Sequence, residues 1–348
     1  MPSTVLIITN DHDEHASAVI RELHKRDVPV FRFHPEDVPH ACSISIEIRD
    51  GRIDGQIRNA YHRVALNDVC AAWFRRARNL FADLRALTPA LTSEQLDDYV
   101  TGQCRATVTA LCEGLDTPLW VGHPHKLRRA EVKALQYAYA HKAGLKTPAT
   151  LISNDPERAA TFVQALGDTR CAIKPLLAFG VSNEQGFRLP LTTTLPAGYP
   201  LDSVALAPNI FQPYIDKAFE LRCVVMGDKI FCAKMNTQAD EATRKDWRAG
   251  NPEHEIFSLP EHIQVAIHRL MASFEINFAS MDIIVTPSGE FVFLDLNPNG
   301  QWLWLETELG LPLVASMADL LTTYQSRPRW PTEDTRPRQV EAVSRSGI

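Results

Sequence analysis

Continuous apolar runs and helical spacings alternate from the first residues of the chain. TVLIIT (4–9) is apolar throughout, Ala18, Val19 and Leu23 recur at helical spacing within NDHDEHASAVIRELHKRD, and PVFRF then returns to a strand pattern. Strand, helix and strand in that order predict the opening of an α/β unit. In CSISIEIRDGRIDGQIRN, Ile44, Ile46 and Ile48 alternate strictly ahead of Asp50-Gly51, which predicts a hairpin. VCAAWFRRARN supplies another short buried strand ending in Arg75, Arg76 and Arg78, and a helix follows from about Ser93 to Leu115.

A new unit starts after Asp116-Thr117-Pro118. In LWVGHPHKLRRAEVKALQYAYAHKAG, Val132, Leu135, Tyr139 and Ala143 define one helical face, with Gly144 as the C-cap. TPATLISNDPERAATFVQAL reads as a strand followed by a helix started by Asp155-Pro156, and CAIKP as a short strand ended by Pro175. Residues 176–200, with Gly180, Gly186 and a Thr triplet, form a mobile hairpin or loop in this reading. IFQPYI and a hairpin FELRCVV/KIFCAKM turning at Gly227-Asp228 come next, then the long polar loop NTQADEATRKDWRAGNPEHE, a helix over about 260–274, a further hairpin, and a final helix from Gln301 to about Tyr324. The breaks divide the chain at 1–118, 119–207 and 208–326. The remaining 327–348, rich in Pro and Arg, has little to pack and is expected to be disordered.

Composition narrows the function. With 348 residues, 45% hydrophobic and 22% charged, the chain has enough apolar material for more than one core. A formal charge of -6 gives no general pull toward nucleic acid or anionic lipid, and no segment approaches a membrane span, so neither partner is expected. Seven scattered cysteines without a CxxC pair, and an N-terminus lacking a signal-peptide pattern, lead to the expectation of a cytoplasmic protein.

The candidate chemistry lies in FVFLDLNPNGQWLWLE (291–306). Alternation puts Asp295 and Asn297 on one face of a strand and Val292, Leu294 and Leu296 on the other. The preceding strand, FASMDIIVT, carries Asp282. A two-residue loop at Ser288-Gly289, or a four-residue loop from Pro287 to Glu290, sets Asp282 opposite Asp295; a three-residue loop separates them. Cross-strand neighbours lie about 4.5–5.5 Å apart at Cβ, so two carboxylates and an amide would converge. Carboxylates that close need a cation or a shared proton. Three readings stay open on the pattern alone: an oxygen-liganded hard ion, Mg²⁺ in preference to Ca²⁺; a carboxylate pair neutralised by arginine; or an Asp-Asn-turn cap at the strand end. His123 and His125 in GHPHK have no further metal-ligand partners nearby and read as loop histidines. Arg75 and Arg76 read equally well as facing an acidic partner or as a solvated strand end.

FLDLNPNGQWLWLE, together with Lys133 in AEVKALQ and Lys174 in CAIKP, resembles the ATP-grasp superfamily, and within it the microviridin-type peptide maturases, or graspetide synthetases. The resemblance implies an α/β (α+β) ATP-grasp fold of three subdomains: an N-terminal α/β domain (1–118), a central subdomain (119–207) and a C-terminal subdomain with the metal site (208–326), the nucleotide being held between two lobes that contain antiparallel sheets. It implies that Lys133 and Lys174 hold the ATP phosphates, that Gln212, Tyr214 and Ile215 in FQPYIDKAFELR form the adenine-reading hinge, and that Glu220 meets the ribose. Arg222 and Arg248 (in DWR) fall near the transferred phosphate. Asp282, Asp295 and Asn297 correspond to the Mg²⁺ ligands, although position 295 is more often Glu in the wider superfamily. Glu220 and Arg222 share a strand face and also fit a simple pair.

The implied activity is an ATP-dependent ligase that activates Asp or Glu side chains of a ribosomal precursor peptide, made of leader and core, as acyl phosphates and closes ester or amide crosslinks. The resembling enzymes also imply a homodimer. Two alternatives are an amino-acid or protein-tail ligase of the same superfamily and a non-catalytic nucleotide-binding protein.

Overall fold

A strand that is apolar throughout has two faces to bury, and in the computed structural model of the chain β1 (Thr4–Ile8) does so inside a parallel sheet. The structure describes residues 3–77, 94–167, 170–177, 192–196, 198–239 and 252–323, with short pieces at 181–183, 186–188, 241, 243–244 and 250. Arg78, Gly180, Arg248 and the tail 327–348 lie outside the described residues. Among the described residues, β1 pairs in parallel with β2 (Val30–Phe33) across α1 (Glu14–Lys25). Asp13 starts that helix by accepting the amides of His15 and Ala16. A hairpin of β3 (Cys42–Arg49) and β4 (Arg52–Asn59) turns at Asp50-Gly51, whose φ values of 52° and 73° suit a two-residue turn. β5 (Arg63–Ala65) pairs with β4. β6 (Val69–Phe74) lies on the other side of β1, and after α2 (Glu94–Gly114) comes β7 (Leu119–Val121), completing the order β2-β1-β6-β7.

The middle of the chain opens with two helices, α3 (Pro124–Ala130) and α4 (Lys133–Ala143). The buried face of α4 is Gln136, Tyr137, Ala140 and Ala143, with Leu135 and Tyr139 at its flank. This corrects the predicted face, because Val132 is 45% exposed at the break between the helices. β8 (Leu151–Ser153), α5 (Pro156–Ala165), β9 (Cys171–Lys174), β10 (Val181–Asn183), β11 (Gly186–Arg188), β12 (Thr193–Thr194) and β13 (Asn209–Pro213) follow. β12-β9-β13-β8 form an antiparallel sheet, and β10 and β11 a hairpin.

The rest is built on the antiparallel sheet β16-β15-β14-β17-β18. Its strands are β14 (Phe219–Met226), β15 (Lys229–Met235), β16 (His254–Ile256), β17 (Phe278–Val285) and β18 (Phe291–Asn297), with α6 (Glu261–Phe274) before β17. One face, through Leu221, Cys223, Met281, Phe293 and Leu296, packs on α4 and α6. Part of the other, through Val224, Met226 and Phe278, shares a core with β1, α1 and Trp302. The predicted final helix is divided into α7 (Leu303–Leu309) and α8 (Leu313–Thr322), because Gly310 takes a left-handed φ of 65° and Pro312 follows. No helix among the described residues is long and apolar enough to cross a membrane.

Near its turn the β17/β18 hairpin takes the connection that was expected to separate the carboxylates. Thr286 N–H donates to Glu290 O at 3.0 Å, leaving a three-residue loop. A bulge at Leu294 then recovers the register, and Asp282 stands opposite Asp295 and Ser280 opposite Asn297. The bulge also reverses the expected alternation: Phe293 joins Leu296 in the core, whereas Leu294 turns toward the cleft beside Asp295.

Gln136 ties α4 to the bulged strand. Its amide donates to Leu296 O (2.8 Å) and Ala130 O (2.6 Å), and its oxygen accepts from Leu296 N–H (3.2 Å). Gln136→Leu keeps the volume roughly but orphans these buried backbone groups. A loss of about 1–3 kcal/mol in urea unfolding is expected; an unchanged midpoint would remove Gln136 from the account of how α4 holds β18.

Candidate active site

Three strands and one helix start bring the charged groups together. Arg222 on β14 pairs in register with Asp282 on β17, and Asp282 with Asp295 on β18, so the three side chains share one face of the sheet. Arg222 Nη1 donates to Asp282 Oδ1 at 2.9 Å, and its Nη2 to Gln301 O at 3.1 Å. Lys133, the first residue of α4, sends its ammonium to Asp295 Oδ1. Among the described residues, the opposed carboxylates are thus each paired with a basic group. Two residues before Arg222, Glu220 faces the same way and pairs with Lys217 at 2.6 Å, both side chains being 6% exposed.

A cleft of about 350 Å³ opens beside these groups, between the β12-β9-β13-β8 sheet and the larger sheet. Nine of the eleven predicted site residues line it: Lys133, Lys174, Gln212, Tyr214, Ile215, Glu220, Asp282, Asp295 and Asn297. Arg222 reaches the cleft through Asp282, and Arg248 lies outside the described residues. Gln212, 2% exposed, donates to Thr150 Oγ1 at 2.9 Å. Tyr214 carries the Arg170 guanidinium 4.3 Å above its ring centroid. Tyr137 also lines the cleft; burial first, then the Asp295 charge, pushes its phenol well up, so it remains a neutral donor to Leu294 O at 3.1 Å.

The donor set can be tested against a metal ion. Among the described residues no three His, Cys, Asp or Glu side chains converge, so protein carboxylates alone make no closed metal cage. Two carboxylates and an amide oxygen on one wall suit instead a hard ion that shares its shell with phosphate and water. The Asp282 and Asp295 side chains keep 23% and 40% exposure, so their ion pairs leave them reachable from the cleft. The residues present therefore fit Mg²⁺ accompanied by a nucleotide.

The turn after Asn297 is fixed from two directions. Asn299 N–H donates to Asn297 Oδ1 (3.0 Å) and Gly300 N–H to Asn297 O (3.2 Å). A Cβ on Gly300 would collide with the Ser280 side chain, so this turn runs hard against β17. From the N-terminal side, Arg75 Nη1 donates to Gly300 O (3.1 Å) and Arg76 Nε to Asn299 O (3.2 Å). Arg75 is 1% exposed and bonded to Asp13 at 3.0 Å. The surface role considered for Arg75 is therefore corrected: it lies inside the junction of the first unit with this turn. His15 Nε2 accepts the amides of Trp302 (3.0 Å) and Leu303 (3.1 Å) at the start of α7. Burial, and after it the Arg75 charge, lowers the His15 pKa to about 3, which suits an acceptor nitrogen. His123 caps α3 by accepting from His125 N–H, as befits a loop histidine.

Sequence reading missed Asp13, His15, Gln136 and Lys217. A usable signal existed for the first two, since polar residues just past the C-terminal end of a parallel strand face the usual crevice of an α/β sheet. Gln136 and Lys217 carry no local sign of their long-range partners.

Residues 130–321 match the RimK-like ATP-grasp domain, and residues 4–128 match the MvdD pre-ATP grasp domain. No curated protein matches the chain. Among solved structures, a Chryseobacterium gregarium RiPP-associated ATP-grasp ligase, in complex with ADP and a leader and core peptide, has 26% identity and a TM-score of 0.84 over 92% of this chain and 96% of that one. The macrocyclase MdnC of Microcystis aeruginosa MRC, bound with precursor peptide MdnA, has 28% identity and a TM-score of 0.79 over 91% and 99%.

The depressed His15 pKa has a defined consequence for stability. The unfolded imidazole takes its proton near 6.5 and the folded one only near 3, so this contribution is complete above pH 6.5 and is lost progressively as pH falls toward 3. One proton corresponds to a slope of at most about 1.4 kcal/mol per pH unit. His15→Gln, which keeps an acceptor, should flatten urea-unfolding free energy against pH within that window; an unchanged slope would mean that His15 is protonated in the folded protein.

Proposed function

The chain belongs to the RimK-like ATP-grasp family, and from that premise we propose that it is a graspetide macrocyclase: it uses ATP and Mg²⁺ to form intramolecular ester or amide crosslinks in a ribosomally made precursor peptide. The observation that carries the reading is the meeting of Lys133, Lys174, the Gln212–Ile215 segment, Asp282, Asp295 and Asn297 on one cleft between two antiparallel sheets. The match of residues 4–128 to the MvdD pre-ATP grasp domain favours a peptide maturase over a tail ligase. The complexes of the two relatives with leader and core peptide, or with precursor peptide, support a peptide substrate. Seven buried free thiols accord with a reducing cytoplasm.

In this mechanism Gln212, Tyr214 and Ile215 seat the adenine, Glu220 meets the ribose, and the Lys133 and Lys174 ammonium groups align the phosphates. Lys133 would leave Asp295 for the phosphate as the nucleotide enters, and Asp295, with Asp282 and Asn297, would hold Mg²⁺. When bound, the ion neutralises charge on the phosphate oxygens during transfer. A side-chain carboxylate of the peptide attacks the γ-phosphorus, ADP departs, and the carboxylate becomes an acyl phosphate. A Ser or Thr hydroxyl or a Lys amine of the same peptide then attacks the acyl carbon, loses its proton, and displaces inorganic phosphate. Arg222, beside Asp282, and Arg248 stabilise the transferred phosphate. Alignment and charge compensation suffice for both steps, and water must be kept from the acyl phosphate.

Incubation of the full chain with ATP, Mg²⁺ and a candidate precursor carrying acidic and Ser/Thr-rich core residues should lower the peptide mass by one water per ring, with ADP and phosphate released. A mass gain of one amino-acid residue would identify a tail ligase instead, and nucleotide binding without turnover toward any peptide would identify a binding protein. Asp295→Asn should cut turnover by at least about 100-fold, on the scale of losing a charge-stabilising group, while circular dichroism stays that of the wild type. Full activity with an ordinary Mg²⁺ requirement would refute the metal assignment.

A further inference from the structure

The metal-side turn is gripped by residues that are remote in sequence and that belong to none of the roles above. We propose that the N-terminal unit completes the active site, with Arg75, held by Asp13, and His15 acting as positioning residues for Asn297 through the Asn297–Leu303 turn. The inference rests on the functional reading given above, because it concerns how that metal ligand is aimed.

The path is continuous and each step is a hydrogen bond. Arg75 binds Gly300 O, Gly300 N–H binds Asn297 O, and Asn299 N–H binds the Asn297 side-chain oxygen itself. Arg76 holds Asn299 O at the same bend, and His15 takes the two amides that follow, Trp302 and Leu303. On the far side, Arg222 holds Gln301 O. The carbonyls of Asn299 and Gly300 thus point into the first unit while Gln301 O points to the sheet, which leaves the turn little freedom to rotate. A buried Arg–Asp pair is costly to desolvate and often no more stabilising than apolar packing, and this one spends its donors on the junction with the turn. A planar guanidinium suits that junction: it donates through Nε to Asp13 and through Nη1 to Gly300 O in fixed directions, which a lysine cannot do. Trp302, 0% exposed and edge-on to the His15 ring at 4.9 Å, closes the same contact with apolar surface. Groups outside a metal's own ligands commonly change its affinity by about 10- to 100-fold when removed.

The test uses the full chain with a non-hydrolysable ATP analogue and Mn²⁺ as the probe ion, read by electron paramagnetic resonance. Removing both buried charges together, as Asp13→Asn/Arg75→Gln, avoids leaving either one unpaired. This variant should weaken Mn²⁺ binding to the enzyme–nucleotide complex by about tenfold or more, with analogue affinity in the absence of metal within about twofold of wild type, since a fault limited to Asn297 leaves the phosphate lysines in place. His15→Leu should move Mn²⁺ affinity in the same direction and His15→Gln should restore it; this pair decides the matter if the double variant fails to fold. Wild-type Mn²⁺ affinity in folded double-variant or His15→Leu protein, whatever their thermal midpoints, would reduce these residues to domain packing and overturn the inference. If instead the wild-type complex itself binds no Mn²⁺, or Asp295→Asn binds it as tightly as wild type, the functional reading fails and the inference falls with it.

Discussion

Two carboxylates facing each other across neighbouring strands cannot be left uncompensated, and most of the site follows from how the protein meets that demand. Asp282 is answered within the sheet by Arg222, one strand away, and Asp295 by Lys133 from the start of α4, a helix packed on the same sheet. The second pair makes an electrostatic link between α4 and the strand β18. A cation resting where charge must be balanced offsets the cost of holding two carboxylates close together.

The same strand is held by backbone groups as firmly as by charge. Gln136 matches both polar groups of Leu296, Tyr137 takes Leu294 O, and Lys146 O takes Phe293 N–H, so the edge of β18 is occupied along the bulge that carries Asp295. The turn beyond Asn297 is then fixed between Ser280 and Arg222 on one side and Arg75, Arg76 and His15 on the other. Local rigidity of this kind suits chemistry that depends on alignment, where small displacements of charge-bearing groups are felt directly in the barrier. It also ties the parallel sheet of the first unit to the antiparallel sheet of the last through one apolar core, in which Val5, Ile7, Val224, Met226 and Trp302 meet.

Much of this was legible along the chain, and the failures have specific causes. Alternation located the β3/β4 hairpin, and apolar runs located β1, β6 and β18, because side-chain period and apolar runs are local properties. Helix ends were read less well: the Glu131-Val132 break and the Gly310–Pro312 break divide what periodicity alone joins. The β17/β18 register shows the limit most clearly. The loop has the length that should have separated the carboxylates, and the bulge at Leu294 undoes it; a bulge is chosen by what packs against the strand, here Phe293 and Leu296 on α4 and α6, and leaves no mark in a window of sequence.

By itself the sequence determined the kinds of element, the parallel opening and antiparallel close of the chain, and the set of oxygen, ammonium and guanidinium groups available for phosphate chemistry, since these follow from residue type and near-neighbour spacing. Only the tertiary structure decided which groups meet. Arg75 is buried against Asp13 and not offered to solvent, Glu220 pairs with Lys217 and Arg222 with Asp282, and Lys133 reaches a carboxylate 162 positions away. Such pairings are set by the desolvation each charge suffers in its final position, and that quantity exists only once distant segments have packed together.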